Sequence, residues 1–327
     1  MLRQAITGYW LSQMVYVAAR LGIADLLTDG PKAIGELARA TGSHERSLYR
    51  LMRGLASLGV FAEIDGQQFK LTPDAEPLRS DRPDSLRAVS LMMGDEHYHA
   101  WGELLHSVKT GECAFEHLYR KNVFDYMAER PEQAKTFDAA MTGIHGRETA
   151  AMLDAYDLSG VGQFIDVGGG NGSTLAAVLI RYPKLRGTLF DLPGVAERAK
   201  ERLAAAGVAG RATAVGGSFF ESVPSGGDAY LLRHIIHDWD DERSLRILRA
   251  CRAAMSTAAR LLIVESVIAP GNEPSFGKLL DLNMLVVPGG EERTEEEYRA
   301  LLAQAGFELT RVVPTVAEVS VVEARPR

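Results

Sequence analysis

In the N-terminal half the apolar positions recur at helical spacing. Within "SHERSLYRLMRGLASLGVF" the residues Leu48, Leu51, Met52, Leu55 and Leu58 follow the i, i+3, i+4, i+7 rule of a helix with one buried face. Ser43 is the expected N-cap and Gly59 the expected stop. The segment "VFAEIDGQQFKLT" then reads as strand, Asp-Gly turn, strand. With the short helix "AIGELARAT" ahead of it, this is a winged-helix arrangement. From Asp95 to Leu158 the pattern stays helical and carries Trp101, Phe115, Phe124, Phe137 and Met141, a set that suits a core or a pocket for a flat aromatic ligand. From Gln163 onward the period switches to alternating strand and helix. "QFIDV", "GTLFDL", "RATAVGG", "DAYLLR" and "RLLIVES" read as short strands, with a helix after the first, the second and the fourth. Strands spaced in this way imply a parallel sheet covered on both faces. The tail adds the helix "TEEEYRALLAQAG", opened by a Thr294/Glu297 capping box, and two β-rich runs placed to pair antiparallel at the sheet edge. The expected division is 1–94, a winged-helix-like unit; 95–158, a helical connector; and 159–327, the α/β domain.

Composition narrows the function classes. A chain of 327 residues with 46% hydrophobic and 24% charged residues is that of an ordinary globular protein of about two domains. Winged helices often bind DNA, but Pro31–Ser80 carries seven basic against six acidic side chains, and the whole chain has a net charge of −7. That is no phosphate-neutralising face, so the N-terminal unit is expected to serve self-association and not nucleic acid. Two cysteines, Cys113 and Cys251, give neither a disulfide framework nor a zinc-ligand spacing. The N-terminus lacks a signal-peptide pattern and no apolar run approaches a membrane span, so the expected location is cytoplasmic, with no membrane partner.

"FIDVGGGNGS" lies where the first strand of the α/β half gives way to a helix. Its alternating glycines, Gly168, Gly170 and Gly172, fail the Gly-x-Gly-x-x-Gly dinucleotide pattern, because Ser173 stands at the third glycine position. No Gly-Lys-Ser/Thr follows, which excludes a P-loop. Instead an acid, Asp166, leads the glycines; it would repel a pyrophosphate but accept a cationic group. Asp191, 25 residues on, ends the second strand, where a carboxylate can hold a ribose. These features fit S-adenosylmethionine better than NAD. His237, in "LLRHIIHDWDDE", lies just past the fourth strand at the ligand-binding edge of such a sheet. It reads as a general base for a hydroxyl proton. A metal reading of His234 and His237 lacks a third ligand, so no metal is expected and His234 is taken as a packing residue.

The segments "FDAAM", "DVGGGNG", "FDLPGV", "GGSFF", "LLRHIIHDWDDE", "LLIVES", "DLNML" and "GGEERT", in this order, carry a family resemblance. The chain resembles the class I S-adenosylmethionine-dependent O-methyltransferases of the caffeic acid and acetylserotonin type, a group with many bacterial natural-product enzymes. The resemblance implies a Rossmann-like, seven-stranded methyltransferase domain with an N-terminal α-helical dimerisation domain that interlocks two chains. It implies S-adenosyl-L-methionine as cofactor, S-adenosyl-L-homocysteine as product, and a small aromatic hydroxyl compound as acceptor. It sets Glu265 and Glu292 beside His237 as catalytic carboxylates, and Gly168, Asp191, Ser218, Phe219 and Arg233 at the cofactor. Phe137, Met141, Asn283 and Met284 match substrate-pocket positions. Ser218 departs from the family, whose plant members commonly carry Asp there, and a hydroxyl holds an adenine amine more weakly than a carboxylate does. Two other readings remain: a family member that binds the cofactor but performs decarboxylation, hydroxylation or cyclisation, and a ligand-sensing DNA-binding regulator.

Overall fold

The Asp65–Gly66 pair bends the chain as its composition asks. Gly66 (φ +75°) and Gln67 (φ +56°) both take left-handed backbone, and β2 (Phe61–Ile64) returns as β3 (Gln68–Leu71). A third strand that the sequence pattern did not reveal, β1 (Lys32–Ala33), pairs antiparallel with β3, giving the order β1-β3-β2. The computed structural model describes residues 2–82 and 84–327.

This wing packs on the helix Glu45–Ser57, whose Leu48, Met52 and Leu55 are buried together with Phe61 and Phe69. The apolar stripe is shorter than its sequence suggests: Leu58 caps the helix and is 55% exposed. His44 occupies the N-cap in place of Ser43, whose hydroxyl accepts a 2.8 Å bond from Thr41 and so is taken up by the preceding helix. Gly59, at φ +82°, supplies the left-handed exit expected of it. The chain divides into two compact units, one running to His99 and including 127–144, the other holding 100–126 and 145–327. The segment 95–158 is thus shared between them, and the long helix Pro131–Ala155 contributes to both.

The second unit is a seven-stranded sheet. Its strands are β4 (Gln163–Val167), β5 (Arg186–Asp191), β6 (Ala212–Gly216), β7 (Ala229–Arg233), β8 (Arg260–Glu265), β9 (Phe307–Pro314) and β10 (Ser320–Pro326). The spatial order is β6-β5-β4-β7-β8-β10-β9, all parallel except β10, which runs antiparallel between β8 and β9. Both faces are covered, and the side-chain alternation shows it. Ile165, Val167, Tyr230, Leu232, Leu261 and Ile263 fill one core, while Phe164, Leu231, Leu262 and Val264 fill the other. After β4 the chain winds outward through β5 and β6, then returns to the other side of β4 as β7. The carboxyl ends of β4 and β7 therefore flank a topological switch point, where sheets of this kind bind ligands. Helix ends follow their sequence signals: Asp240 caps Asp241–Ala254 through a 2.8 Å bond from the Arg243 amide. Thr294 and Glu297 form the capping box of Glu295–Gln304. Among the described residues no helix is long and apolar enough to cross a membrane.

Candidate active site

The glycines after β4 are needed by the backbone. Gly168, Gly170 and Gly172 have φ of +71°, +56° and +80°, a region L side chains seldom adopt. At Gly168 a Cβ would also come within 2.3 Å of Ile235 Cδ1, and it would sit 3.7 Å from Phe219. The Gly168 amide donates to the Phe190 carbonyl (2.7 Å), and the Gly170 amide to Asp191 Oδ2 (2.9 Å). Asp191, at the end of β5, thus fixes the glycine turn while standing at its mouth.

Asp166 is the next-to-last residue of β4, as the segment "QFIDV" implies. It is 2% exposed, and its Oδ2 has no hydrogen-bond partner. Burial drives its carboxyl up to about 7, Arg233 pulls it back in part and Asp191 adds to the rise. A buried acid with one unpartnered oxygen, beside a turn whose glycines take left-handed backbone, fits a cationic ligand lying against that backbone. Arg233 ends β7; its guanidinium donates to Thr149 Oγ1, with Glu148 and Asp166 as its nearby negative charges. The Ser218 hydroxyl accepts from the Phe220 amide (3.3 Å), so it is engaged with its own turn.

His237 lies on a 3-10 turn, Ile236–Asp238, directly after β7. This turn is held from both sides. Glu265, at the end of β8, accepts three consecutive amides on Oε1, from Ile235 (3.0 Å), Ile236 (2.7 Å) and His237 (3.2 Å). Its Oε2 accepts from the buried Tyr298 hydroxyl. Arg293, 1% exposed, donates to the carbonyls of Ile236 (3.3 Å) and Trp239 (3.2 Å), and is itself anchored by Asp241 and Glu291 (both 2.9 Å). Gly290 presses on the same turn, where a Cβ would meet the His237 carbonyl oxygen at 2.0 Å.

Of the two carboxylates expected at the imidazole, Glu292 is there. Its Oε1 lies 2.6 Å from His237 Nδ1. Glu265 instead binds the turn's backbone, because its two oxygens are filled by three amides and a tyrosine hydroxyl. Glu291, inseparable from Glu292 by spacing, turns to Arg293. On the other edge of the ring Nε2 is 3.5 Å from Asp238 Oδ1. Burial alone would depress the imidazole, but Asp238, Glu292 and Glu265 outweigh it and lift His237 to about 10. Glu292 is raised by burial and drawn down again by the imidazole it binds.

His234 is more than a packing residue. Its backbone is left-handed (φ +52°), its Nε2 lies 2.7 Å from Glu148 Oε2, and its ring centroid is 4.9 Å from that of His237. Glu148, Thr149, Asp238, Arg293 and Tyr298 were not picked out from the sequence. Asp238 and Arg293 adjoin residues that were, whereas Glu148 and Thr149 reach the site from 84 to 86 positions upstream, a spacing that carries no signal. Asn283 accepts a 2.9 Å bond from Trp101 Nε1, which fixes its amide orientation because indole only donates, and Met284 is buried. These two belong to the second unit; Phe137 and Met141, half-buried on Pro131–Ala155, belong to the first.

Comparison with known proteins gives a consistent result. The family model described as the O-methyltransferase domain matches residues 101–308, and that of the O-methyltransferase dimerisation domain matches 3–80. A phenazine O-methyltransferase of Lysobacter antibioticus is 50% identical over 99% of this chain and 95% of its own length. A mitomycin biosynthesis 6-O-methyltransferase of Streptomyces lavendulae is 39% identical over 98% and 92%. A phenazine-1-carboxylate N-methyltransferase of Pseudomonas aeruginosa is 34% identical over 99% and 96%. Among solved structures, LaPhzM superposes with a TM-score of 0.97 at 50% identity, covering 100% of this chain and 98% of that one. An O-methyltransferase from neocarzinostatin biosynthesis, solved with S-adenosylmethionine and 2-hydroxy-5-methyl naphthoic acid, gives 0.87 at 34% identity, covering 97% and 96%.

Proposed function

The chain belongs to the O-methyltransferase family, and from that premise we propose that it methylates a phenolic hydroxyl of a small aromatic molecule with His237 as the general base. S-adenosylmethionine is the methyl donor, and it supplies an electrophilic methyl on a sulfonium. The chain's own residues then have two tasks: to aim the acceptor oxygen and to take its proton.

The observation that carries this reading is the His237–Glu292 pair at the carboxyl edge of the sheet, one turn of chain from Gly168's neighbour Ile235. Its neighbouring carboxylates lift the imidazole to about 10; the positive charge of the bound donor would lower it again, and the neutral ring would then take the proton of a phenol whose own pKa is about 10. Nε2 is the receiving atom, since Nδ1 is engaged by Glu292. The Glu292 carboxylate, its side chain wholly buried, then faces the imidazolium that results. A proton acceptor of this kind asks for no metal-bound hydroxide.

Asp166 and the glycine turn would hold the donor's cationic end, Asp191 its ribose, and Ser218, Phe219 and Arg233 its remaining surface. Phe137, Met141, Asn283 and Met284 would hold the acceptor. The proposed division of labour is 1–94 for dimerisation, 95–158 for the acceptor and 159–327 for the donor. A homodimer is supported by the dimerisation-domain match and by Leu2, Ile6, Tyr9 and Trp10, all more than half exposed near the N-terminus. The aromatic acceptors named for the relatives make hydroxyphenazines and hydroxynaphthoates the first compounds to try.

The test is mass spectrometry for gain of one methyl on such an acceptor, paired with His237→Ala. Removing a general base costs about 10²–10⁴ in rate. The variant should lose turnover and keep its affinity for S-adenosylmethionine. Equal loss of both would remove His237 from the base role, and an acceptor methylated on nitrogen alone would replace the phenol with an amine.

A further inference from the structure

His234 and Glu148 form a second buried acid–imidazole pair, to which the chemistry above gives no task. Their bond is 2.7 Å long, and their side chains are 9% and 13% exposed. The His234 ring lies 4.9 Å from the His237 ring with 42° between the planes, so one imidazole backs the other. Two acid–imidazole pairs thus meet ring to ring, Glu148–His234 and His237–Glu292. The left-handed backbone at His234 (φ +52°) is where the chain breaks from β7 into the turn that carries His237, and its amide is tied to the Val264 carbonyl (3.2 Å). Few residues other than glycine take that conformation, His, Asn and Asp more often than the rest, and here the bond of its amide to Val264 holds it.

We propose that His234, held by Glu148, is a positioning residue for the base: it backs the His237 ring and keeps a neutral surface there, while the Glu148 carboxylate supports the charge that His237 takes up. The proposal rests on the reading of His237 as the base. His234 faces Glu148 from the helix Pro131–Ala155, and Arg233 and His237 on its own segment. His237 in turn faces Asp238 on its own turn, Glu265 at the end of β8, and Glu292 ahead of the helix Glu295–Gln304. Burial, reinforced by the positive charges of His237 and Arg233, drives His234 well below the ordinary histidine range. A neutral imidazole with a carboxylate at Nε2 carries its hydrogen there and donates it, so His234 is an Nε2–H tautomer. A protonated ring in the same place would oppose the imidazolium that forms on His237.

The experiment uses the full chain labelled with ¹⁵N-histidine, in complex with S-adenosylhomocysteine, and follows the His237 ring by NMR as pH is varied. Glu148→Gln keeps a hydrogen-bonding side chain but removes the charge. It should lower the His237 titration midpoint by half a pH unit or more, and move the acid limb of kcat down with it. His234→Asn tolerates the left-handed backbone and removes the ring. It should reduce kcat for methylation of a hydroxyphenazine probe about tenfold, with the Kd for S-adenosylmethionine within twofold of the parent. A purely structural role would lower kcat without moving the midpoint. An unmoved midpoint in Glu148→Gln, or full kcat in His234→Asn, overturns the proposal. If His234→Asn does not fold, the Glu148→Gln titration decides alone. Failure of the base reading looks different, because His237→Ala would then either remain active or lose cofactor affinity together with turnover.

Discussion

Replacing Asp166 by asparagine should stabilise the cofactor-free protein and weaken its grip on the cofactor, in separate and calculable ways. The carboxyl is 2% exposed, and burial lifts it from 3.8 to about 7. A rise of about three units corresponds to roughly 4 kcal/mol spent on ionising the group inside the fold. Because the folded-state value is the higher one, the folded protein holds a proton that the unfolded chain gives up. Stability is therefore fully present below about pH 4, falls as pH rises, and has lost the whole amount above about pH 7. Asp166→Asn should raise the Tm at pH 8, on the order of 5 °C for a chain of this size, and leave it unchanged near pH 4. Cofactor binding reverses the argument, since a cationic ligand selects the carboxylate. The affinity of the parent protein for S-adenosylhomocysteine should then improve by up to about tenfold per pH unit well below pH 7, or roughly 15-fold between pH 5.5 and 7. The window closes there because the ligand's own α-amino group loses its proton near pH ~7.7–8. Isothermal titration calorimetry across that range is the assay, and the asparagine variant should show a flat profile at the weak end. A flat profile in the parent, or the same slope in both proteins, would refute the assignment of Asp166 to the ligand's cation.

Three further substitutions probe the scaffold of the site. Gly290→Ala forces a Cβ to 2.0 Å from the His237 carbonyl oxygen and must displace the turn that carries His237; kcat should fall more than about tenfold while S-adenosylmethionine affinity holds within twofold. Tyr298→Phe leaves Glu265 Oε2 buried without its donor, and urea denaturation should show a loss of about 1–3 kcal/mol with an unchanged slope. Gly168→Ala, at φ +71° and 2.3 Å from Ile235, should abolish cofactor binding in calorimetry while the far-UV circular dichroism stays that of the parent.

The sequence made the sheet legible because its strands are buried on both faces and bounded by caps and glycines, which are local signals. "QFIDV" is β4 to the residue. It hid β1, since two residues carry no period, and misjudged Ser43, whose hydroxyl had a competing partner two residues back, in Thr41. At the site, the residues that adjoin motifs were legible and those that arrive from elsewhere were not. His237 and Glu292 meet as expected across 55 positions because family resemblance, not spacing, joined them. Glu265 was found but given the wrong contact: a strand-end carboxylate beside a histidine turn can reach either the ring or the backbone, and only coordinates distinguish the two. Glu148 lies in the helix Pro131–Ala155 between exposed Arg147 and buried Thr149, and nothing local marked it.

The electrostatics around His237 carry a consequence for the order of events. In the cofactor-free chain three carboxylates overcome burial and lift the ring to about 10, so at neutral pH it is an imidazolium. In that state it cannot accept a proton; it would only donate a hydrogen bond to an arriving phenol. On the proposed reading the ring would become a base once a second positive charge, such as the donor's sulfonium, lay near it and lowered its pKa. On that reading Asp166 on β4 and Glu292 beside His237 would act in sequence, the first holding the donor's cationic end and the second sustaining the imidazolium formed when the ring takes the acceptor's proton. Donor binding should precede productive acceptor binding, with S-adenosylhomocysteine competitive against S-adenosylmethionine at every acceptor concentration. In the NMR titration, the His237 midpoint should lie well above 6.5 in the free protein and fall when S-adenosylmethionine is bound, but not with S-adenosylhomocysteine, which lacks the sulfonium. A free-protein midpoint at or below 6.5 would show that the three carboxylates do not prevail over burial, and the ordered scheme would lose its cause.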